Sequence, residues 1–106
     1  MMTLEGKVAI VTGGSKGIGA TIAKELASYG VKVAVNYNSS AEAAEKVVNE
    51  IKENGGECIA IQADVSYPDQ AKRLVEETKE AFGQLDILVN NAGINMKKEF
   101  TEVTDE

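Results

Sequence analysis

The sequence predicts an α/β protein built on a doubly wound parallel sheet, and two observations predict it. Strand and helix signals alternate as β-α-β-α-β-α-β with little loop between them, and right-handed crossovers force such a chain into a parallel sheet with helices on both faces. The first strand-to-helix turn is rich in glycine: Thr12-Gly13-Gly14-Ser15-Lys16-Gly17-Ile18-Gly19 follows at once on the apolar run Val8-Ala9-Ile10-Val11. The expected strand order is 3-2-1-4. Its reversal beside the first strand opens a crevice at the carboxyl ends of strands one and four, where open α/β sheets hold ligands.

Each element has its own signal. The first strand runs from about Lys7 to Thr12. A helix follows from about Gly17 to Tyr29, with Ile18, Ile22, Ala23 and Leu26 at helical spacing and Gly30 as its stop. Val31 to Asn36 alternates as a second strand. Ser39-Ser40-Ala41-Glu42 has the S-x-x-E form of a capping box, and Ala44, Val47, Val48 and Ile51 behind it make one apolar stripe that ends at Asn54-Gly55-Gly56. Glu57 to Gln62 forms strand three. Pro68 suits a first helical turn and opens a third helix, striped by Ala71, Leu74, Val75, Thr78 and Phe82 and closed by Gly83. Leu85 to Val89 is strand four. Phe100 to Glu106 offers a cap residue and acidic first-turn positions, so the sequence reads as a chain cut as a fourth helix begins.

Composition narrows the chemistry. A chain of 106 residues is one domain or part of one. Its net charge of −6 argues against a nucleic-acid footprint and against a cationic membrane face. The N-terminus has no basic segment, and the apolar run behind it is too short for a signal peptide or membrane span, so a cytoplasmic protein is expected. Histidine is absent, which removes Ser-His-Asp and Cys-His hydrolysis and most zinc sites; no metal site is expected. The single cysteine, Cys58, lies in the strand-like run Cys58-Ile59-Ala60-Ile61 and is expected to be a buried packing residue.

The glycine turn is built to hold a phosphate. A strand ending there points the unpaired N–H groups of the helix's first turn, with their partial positive charge, at one spot beyond the sheet. The dinucleotide fingerprint is G-x-G-x-x-G, whereas these glycines read G-x-x-x-G-x-G at positions 13, 17 and 19. The physical roles are the same. Gly13 takes the tight turn, Gly17 lets the backbone approach a pyrophosphate, and Gly19 lets the helix lie close on the sheet. A P-loop is the competing reading and fails, because Lys16 is followed by Gly17 rather than by Ser or Thr.

With these residues in hand, the chain resembles the N-terminal part of a short-chain dehydrogenase/reductase. Within that family it is nearest to the 3-oxoacyl-acyl-carrier-protein reductases and the sugar or alcohol dehydrogenases. The family motif T-G-x-x-x-G-x-G matches Thr12 to Gly19, N-N-A-G matches Asn90 to Gly93, and D-V after the third strand matches Asp64-Val65. The resemblance implies the first half of a Rossmann-type fold, with residues 1–106 as a partial NAD(P)-binding domain. It implies that Gly13, Ser15, Lys16, Gly17, Ile18 and Gly19 border the pyrophosphate and adenosine ribose. Asp64 and Val65 would edge the adenine, and Asn90, Ala92 and Gly93 would line the ribose side of strand four. Sugar-nucleotide epimerases on the same fold usually carry T-G-x-x-G-x-x-G, which does not match.

Cofactor choice has a physical argument. An NAD site puts an Asp or Glu at the end of strand two to accept from the ribose 2′-OH, and that carboxylate repels a 2′-phosphate. Here the strand ends in Asn36-Tyr37-Asn38-Ser39-Ser40, with no acid. Lys16 supplies positive charge, and Asn38, Ser39 and Ser40 can donate to phosphate oxygens. NADP(H) is therefore expected over NAD(H).

The family's catalytic Y-x-x-x-K lies beyond the matched region. Tyr29, Tyr37 and Tyr67 are followed four residues later by Val33, Ala41 and Ala71, so no catalytic residue is assigned and the isolated chain is expected to be inactive. For the parent protein the resemblance implies reduction of a small-molecule or acyl-carrier-bound carbonyl, as in fatty acid biosynthesis. The alternatives are a non-catalytic NAD(P)-binding module and an alcohol or sugar dehydrogenase. A sheet ending at strand four would leave Ile87 to Val89 as an unpaired edge and one face apolar, so a homo-oligomer is expected.

Overall fold

A computed structural model describes residues 3–91. The expected fourth helix at Phe100–Glu106, and the site residues Ala92 and Gly93, lie outside the described residues. The chain runs β1 (Val8–Thr12), α1 (Gly17–Ser28), β2 (Lys32–Tyr37), α2 (Ala41–Glu53), β3 (Cys58–Gln62), α3 (Pro68–Phe82) and β4 (Ile87–Asn90). The four strands form one parallel sheet in the order β3-β2-β1-β4, as expected.

Alternation along β1 divides the core between the two faces. Ala9 and Val11 join Val33, Val35 and Cys58 beneath α1 and α2, whose contributions are Ala20, Ala23, Ala44, Val47, Val48 and Ile51. Ile10, Ala34, Ile61 and Ala63 turn to the other face, where Leu74 of α3 covers them. Ile10 is fully buried, and burial of a side chain that size stabilises the fold by about 2 kcal/mol.

Four local expectations change on the structure. The second strand begins at Lys32, not Val31, because the Val31 N–H closes α1 by donating to the Leu26 carbonyl at 3.2 Å. Strand four begins at Ile87, not Leu85: Leu85 packs against the α3-side core, and the Asp86 carboxylate accepts from the Val8 N–H at 2.9 Å. The capping box does not form. The N-cap of α2 is Ser40, whose side chain makes no capping bond, which places Glu42 at the second helical position rather than the third. Finally, Ile18 is not part of the buried stripe of α1; it is 62% exposed, and Gly19, Ala20 and Ala23 carry the buried face.

Pro68 at the first turn of α3 and left-handed Gly83 at its end match their expected roles. Among the described residues β4 is an outer strand, and Leu88 is 60% exposed. Ile87 and Val89 of the same strand pack against the α1 and α2 face. No helix among the described residues is long and apolar enough to cross a membrane.

Candidate functional site

Because all four strands are parallel, their carboxyl ends lie along one edge, and the expected site residues gather there. Gly13, Ser15, Lys16, Gly17, Ile18 and Gly19 follow β1, Asn38 follows β2, Asp64 and Val65 follow β3, and Asn90 ends β4. Lys16, Gly17, Ile18, Asn38 and Asn90 are exposed, Gly13, Ser15, Asp64 and Val65 are half-buried, and Gly19 is buried.

The turn after β1 is held by its neighbours. The Gly13 N–H donates to Asn36 Oδ1 at 3.3 Å, and the Gly14 N–H to the Asn36 carbonyl at 2.9 Å. From the other side, Asn91 Nδ2 donates to the Gly13 carbonyl at 3.1 Å. The N–H groups of Gly13 and Gly14 are thus used within the protein. Those of Gly17, Ile18 and Gly19, in the first turn of α1, have no hydrogen-bond partner among the described residues. Unpaired first-turn N–H groups with the helix dipole behind them attract an anion.

Two glycines do distinct work here. Gly17 has φ +55°, a left-handed conformation, and a Cβ on it would meet nothing within 4 Å, so its open side faces free space. Gly19 is the reverse. A Cβ on it would overlap the Gly13 carbonyl and come within 2.6 Å of Asn91 Nδ2, so its bare backbone is what lets α1 start against the turn and the end of β4. The close approach is to the turn rather than to the sheet at large.

The β4 side of the crevice is tied to β1. Thr12, at the end of β1, places its hydroxyl 3.2 Å from Asn90 Oδ1 and 3.3 Å from the Val89 carbonyl, binding the ends of β1 and β4 together. Asn90 is nonetheless exposed, so its position allows both strand pairing and contact with a ligand.

Asp64 closes the β3 end. Its Oδ1 accepts from the Ser66 hydroxyl at 2.6 Å and the Ser66 N–H at 3.0 Å, and these bonds hold its carboxyl below the usual carboxylate range. The Asp64 N–H donates to Gln70 Oε1 at 2.7 Å, so α3 fixes the loop. A charged carboxylate with a second oxygen unbonded among the described residues is suited to accept from an amino group such as that of adenine.

Sequence reasoning passed over Asn36, Asn91 and Gln70 as structural members of this site. Asn36 had a signal: an amide closing the apolar run Val33-Ala34-Val35 falls where a buried polar group must find partners. Gln70 had none, since its bond to Asp64 depends on how α3 sits. Among the described residues no group of His, Cys, Asp and Glu side chains is suited to a metal ion. Cys58 is buried, and burial pushes its thiol up to about 12, as befits a packing residue. The concavities lined by Lys24, Ala27, Ser28, Glu50, Ile51, Asn54 and Gly56, and beyond them by Gly30 to Lys32, lie at the opposite end of the helices and share no residue with this edge.

The comparisons agree with this geometry. The family described as short chain dehydrogenase matches residues 7–106. An uncharacterized oxidoreductase of Methylorubrum extorquens is 56% identical over 106 residues, covering 100% of this chain and 43% of that protein. A versicolorin reductase of Emericella nidulans is 58% identical over 91 residues, 86% of this chain and 34% of that protein. Among solved structures, a short chain dehydrogenase from Burkholderia cenocepacia in complex with NADP superposes with a TM-score of 0.80 at 54% identity, over 84% of this chain and 36% of that one. The chain therefore spans less than half the length of these relatives. With its motifs, fold and relatives in agreement, the chain belongs to the short-chain dehydrogenase family.

Proposed function

We propose that residues 1–106 form the dinucleotide-binding part of an NADP(H)-dependent reductase. The observation that carries this reading is the set of N–H groups at Gly17, Ile18 and Gly19, without partners among the described residues and at the edge of the sheet where its strand order reverses. These groups take the pyrophosphate, with Gly13 and Ser15 beside them. Asp64 and Val65 edge the adenine, and Asn90 lines the other wall. The bound cofactor supplies the hydride.

NADP(H) is preferred to NAD(H) because strand two ends without an acid, and because Lys16 and Asn38 stand exposed just after the neighbouring strands β1 and β2. The solved relative named as a complex with NADP supports the same choice. Titration of the chain with NADPH and NADH tests it. NADPH should bind at least about tenfold more tightly, and Lys16→Glu should erase most of the difference. Equal affinities, or a preference untouched by Lys16→Glu, would overturn the assignment.

The parent protein reduces a carbonyl, in our reading that of a 3-oxoacyl thioester carried on acyl carrier protein. A second reading, a polycyclic aromatic carbonyl, is favoured by the versicolorin reductase among the relatives. Assay of the parent protein on an acetoacetyl thioester and on a hydroxynaphthalenone, each with NADPH, separates them. The 106-residue chain by itself should reduce neither, for it has no tyrosine with a lysine four residues on. Leu88, exposed on a strand that is outermost among the described residues, supports self-association, which sedimentation at micromolar concentration tests.

A further inference from the structure

We infer that Asn36 is a positioning residue that joins the phosphate-facing turn after β1 and the adenine-facing loop after β3 into one unit, so that a ligand seated at one end orders the other. The inference rests on the nucleotide reading above and goes beyond it, since it gives a role to a buried residue rather than to one exposed at the crevice.

The Asn36 residue is 2% exposed, the carboxamide being enclosed at the centre of the strand ends. Its Oδ1 accepts from the Gly13 N–H at 3.3 Å, on the glycine turn. Its Nδ2 donates to the Ala63 carbonyl at 3.0 Å and the Ile61 carbonyl at 3.3 Å, at the end of β3. A longer contact, 3.5 Å, reaches the Tyr37 carbonyl. The main chain of the same residue accepts from the Gly14 N–H at 2.9 Å, and the Ala63 N–H donates to the Tyr37 carbonyl at 3.0 Å. Every partner is a backbone group. One planar side chain therefore ties the peptide of Gly13 to the peptide just before Asp64, and rotation of the amide to suit one bond spoils the others.

The coupling has a direct physical basis. Asp64 is adjacent to Ala63, and Gly13 opens the turn that leads to the free N–H groups of α1. Fixing the β3 loop sharpens the position of the Ala63 carbonyl, hence of the amide, hence of Gly13. Loss of the amide removes the side-chain partner of the buried Ala63 carbonyl and of the half-buried Gly13 N–H and frees the two loops to move separately.

Amide exchange on the 106-residue chain tests this, using adenine as the probe because it carries neither ribose nor phosphate. In the unaltered chain, saturating adenine should slow exchange at Asp64 and Val65 and, through Asn36, at Gly13 and Gly14 by about threefold or more. In Asn36→Ala the direct protection at Asp64 and Val65 should persist at saturation while that at Gly13 and Gly14 disappears, and NADPH should bind about tenfold more weakly. A residue that only supported the fold would lower the melting temperature without any such cross-protection to lose. Unchanged Gly13 and Gly14 exchange in the adenine-bound unaltered chain overturns the inference whether or not the variant folds, and so does cross-protection that survives in Asn36→Ala or Asn36→Ser. If the unaltered chain binds neither adenine nor NADPH, the nucleotide reading itself fails, a result distinct from binding without coupling.

Discussion

Asn91 Nδ2 donates to the Gly13 carbonyl at 3.1 Å, and the same carbonyl is the atom against which Gly19 is packed. The start of α1 is thus held by the side chain just after β4 on one side and by the absence of a side chain on the other. Gly19→Ala should destabilise the protein by about 3 kcal/mol, because the new Cβ meets backbone rather than a flexible side chain. That cost exceeds the roughly 1 kcal/mol that alanine gains over glycine in a helix. Gly17→Ala should behave differently. Its Cβ enters open space, so the stability cost is limited to about 1–2 kcal/mol of left-handed strain, and the loss falls on nucleotide affinity instead. Denaturant midpoints and NADPH titrations on both variants check the contrast.

Thr12→Val preserves shape and removes the hydroxyl that links β1 to Asn90 and Val89. Asn90 is exposed and can turn to water, so the expected cost is about 1 kcal/mol rather than the larger penalty of a stranded buried group. Urea denaturation of Thr12→Val measures it. A cost above about 3 kcal/mol would show that the hydroxyl serves a further partner of greater weight.

Asp86 ties β4 to β1 at the opposite end of the strands from the site. Its carboxylate accepts from the Val8 N–H at 2.9 Å and from Gln84 Nε2 at 2.7 Å, and the Val8 bond first, then Gln84, holds its pKa below the usual range. A depressed carboxyl stabilises the folded state above its unfolded pKa of about 3.9 and loses that contribution as pH falls through the lower folded value. Asp64 and Glu50, both also depressed, add to the same acid limb. Asp86→Asn should therefore be less stable than the unaltered chain at neutral pH, with the gap narrowing below about pH 4. Denaturant midpoints taken across the acid range check this, and a gap that stays constant would show that the ionised form of Asp86 contributes nothing.

Much of the fold was legible because periodicity and punctuation agreed. The stripe Ala44, Val47, Val48 and Ile51 is buried as spacing required, and Pro68 and Gly83 bound α3 where their backbone restrictions placed them. The errors fell where a local signal had two outcomes. Ser39 to Glu42 satisfies a capping-box pattern, but the chain enters α2 one residue later. Ile18 has helical spacing with Ile22, yet it lies in the first turn of α1, at the carboxyl edge of the sheet, where no other described element covers it, and it is left exposed. That the glycine turn, Asp64 and Asn90 share the carboxyl edge of the sheet could be read from the order of the motifs after their strands. The amide bonds of Asn36 and Asn91 could not, because they join residues 23 and 78 positions apart and depend on the finished sheet.

Cys58 gives a final check on the sheet's burial. It begins β3 beneath α2, is 2% exposed, and has its thiol pushed up to about 12 by desolvation, which outweighs the opposing charge of Lys52. Both access and thiolate formation are thereby suppressed, and the thiolate is the reacting species. A disulfide reagent at neutral pH should modify Cys58 more than about a hundredfold more slowly in the native chain than in denaturant, at a rate set by opening of the fold. Since α2 packs directly on β3, the loosening mutation Val48→Ala should accelerate the reaction in proportion to its loss of stability, about 1–3 kcal/mol. Labelling that is fast in the native chain, or indifferent to Val48→Ala, would mean that the α2 face opens independently of the rest.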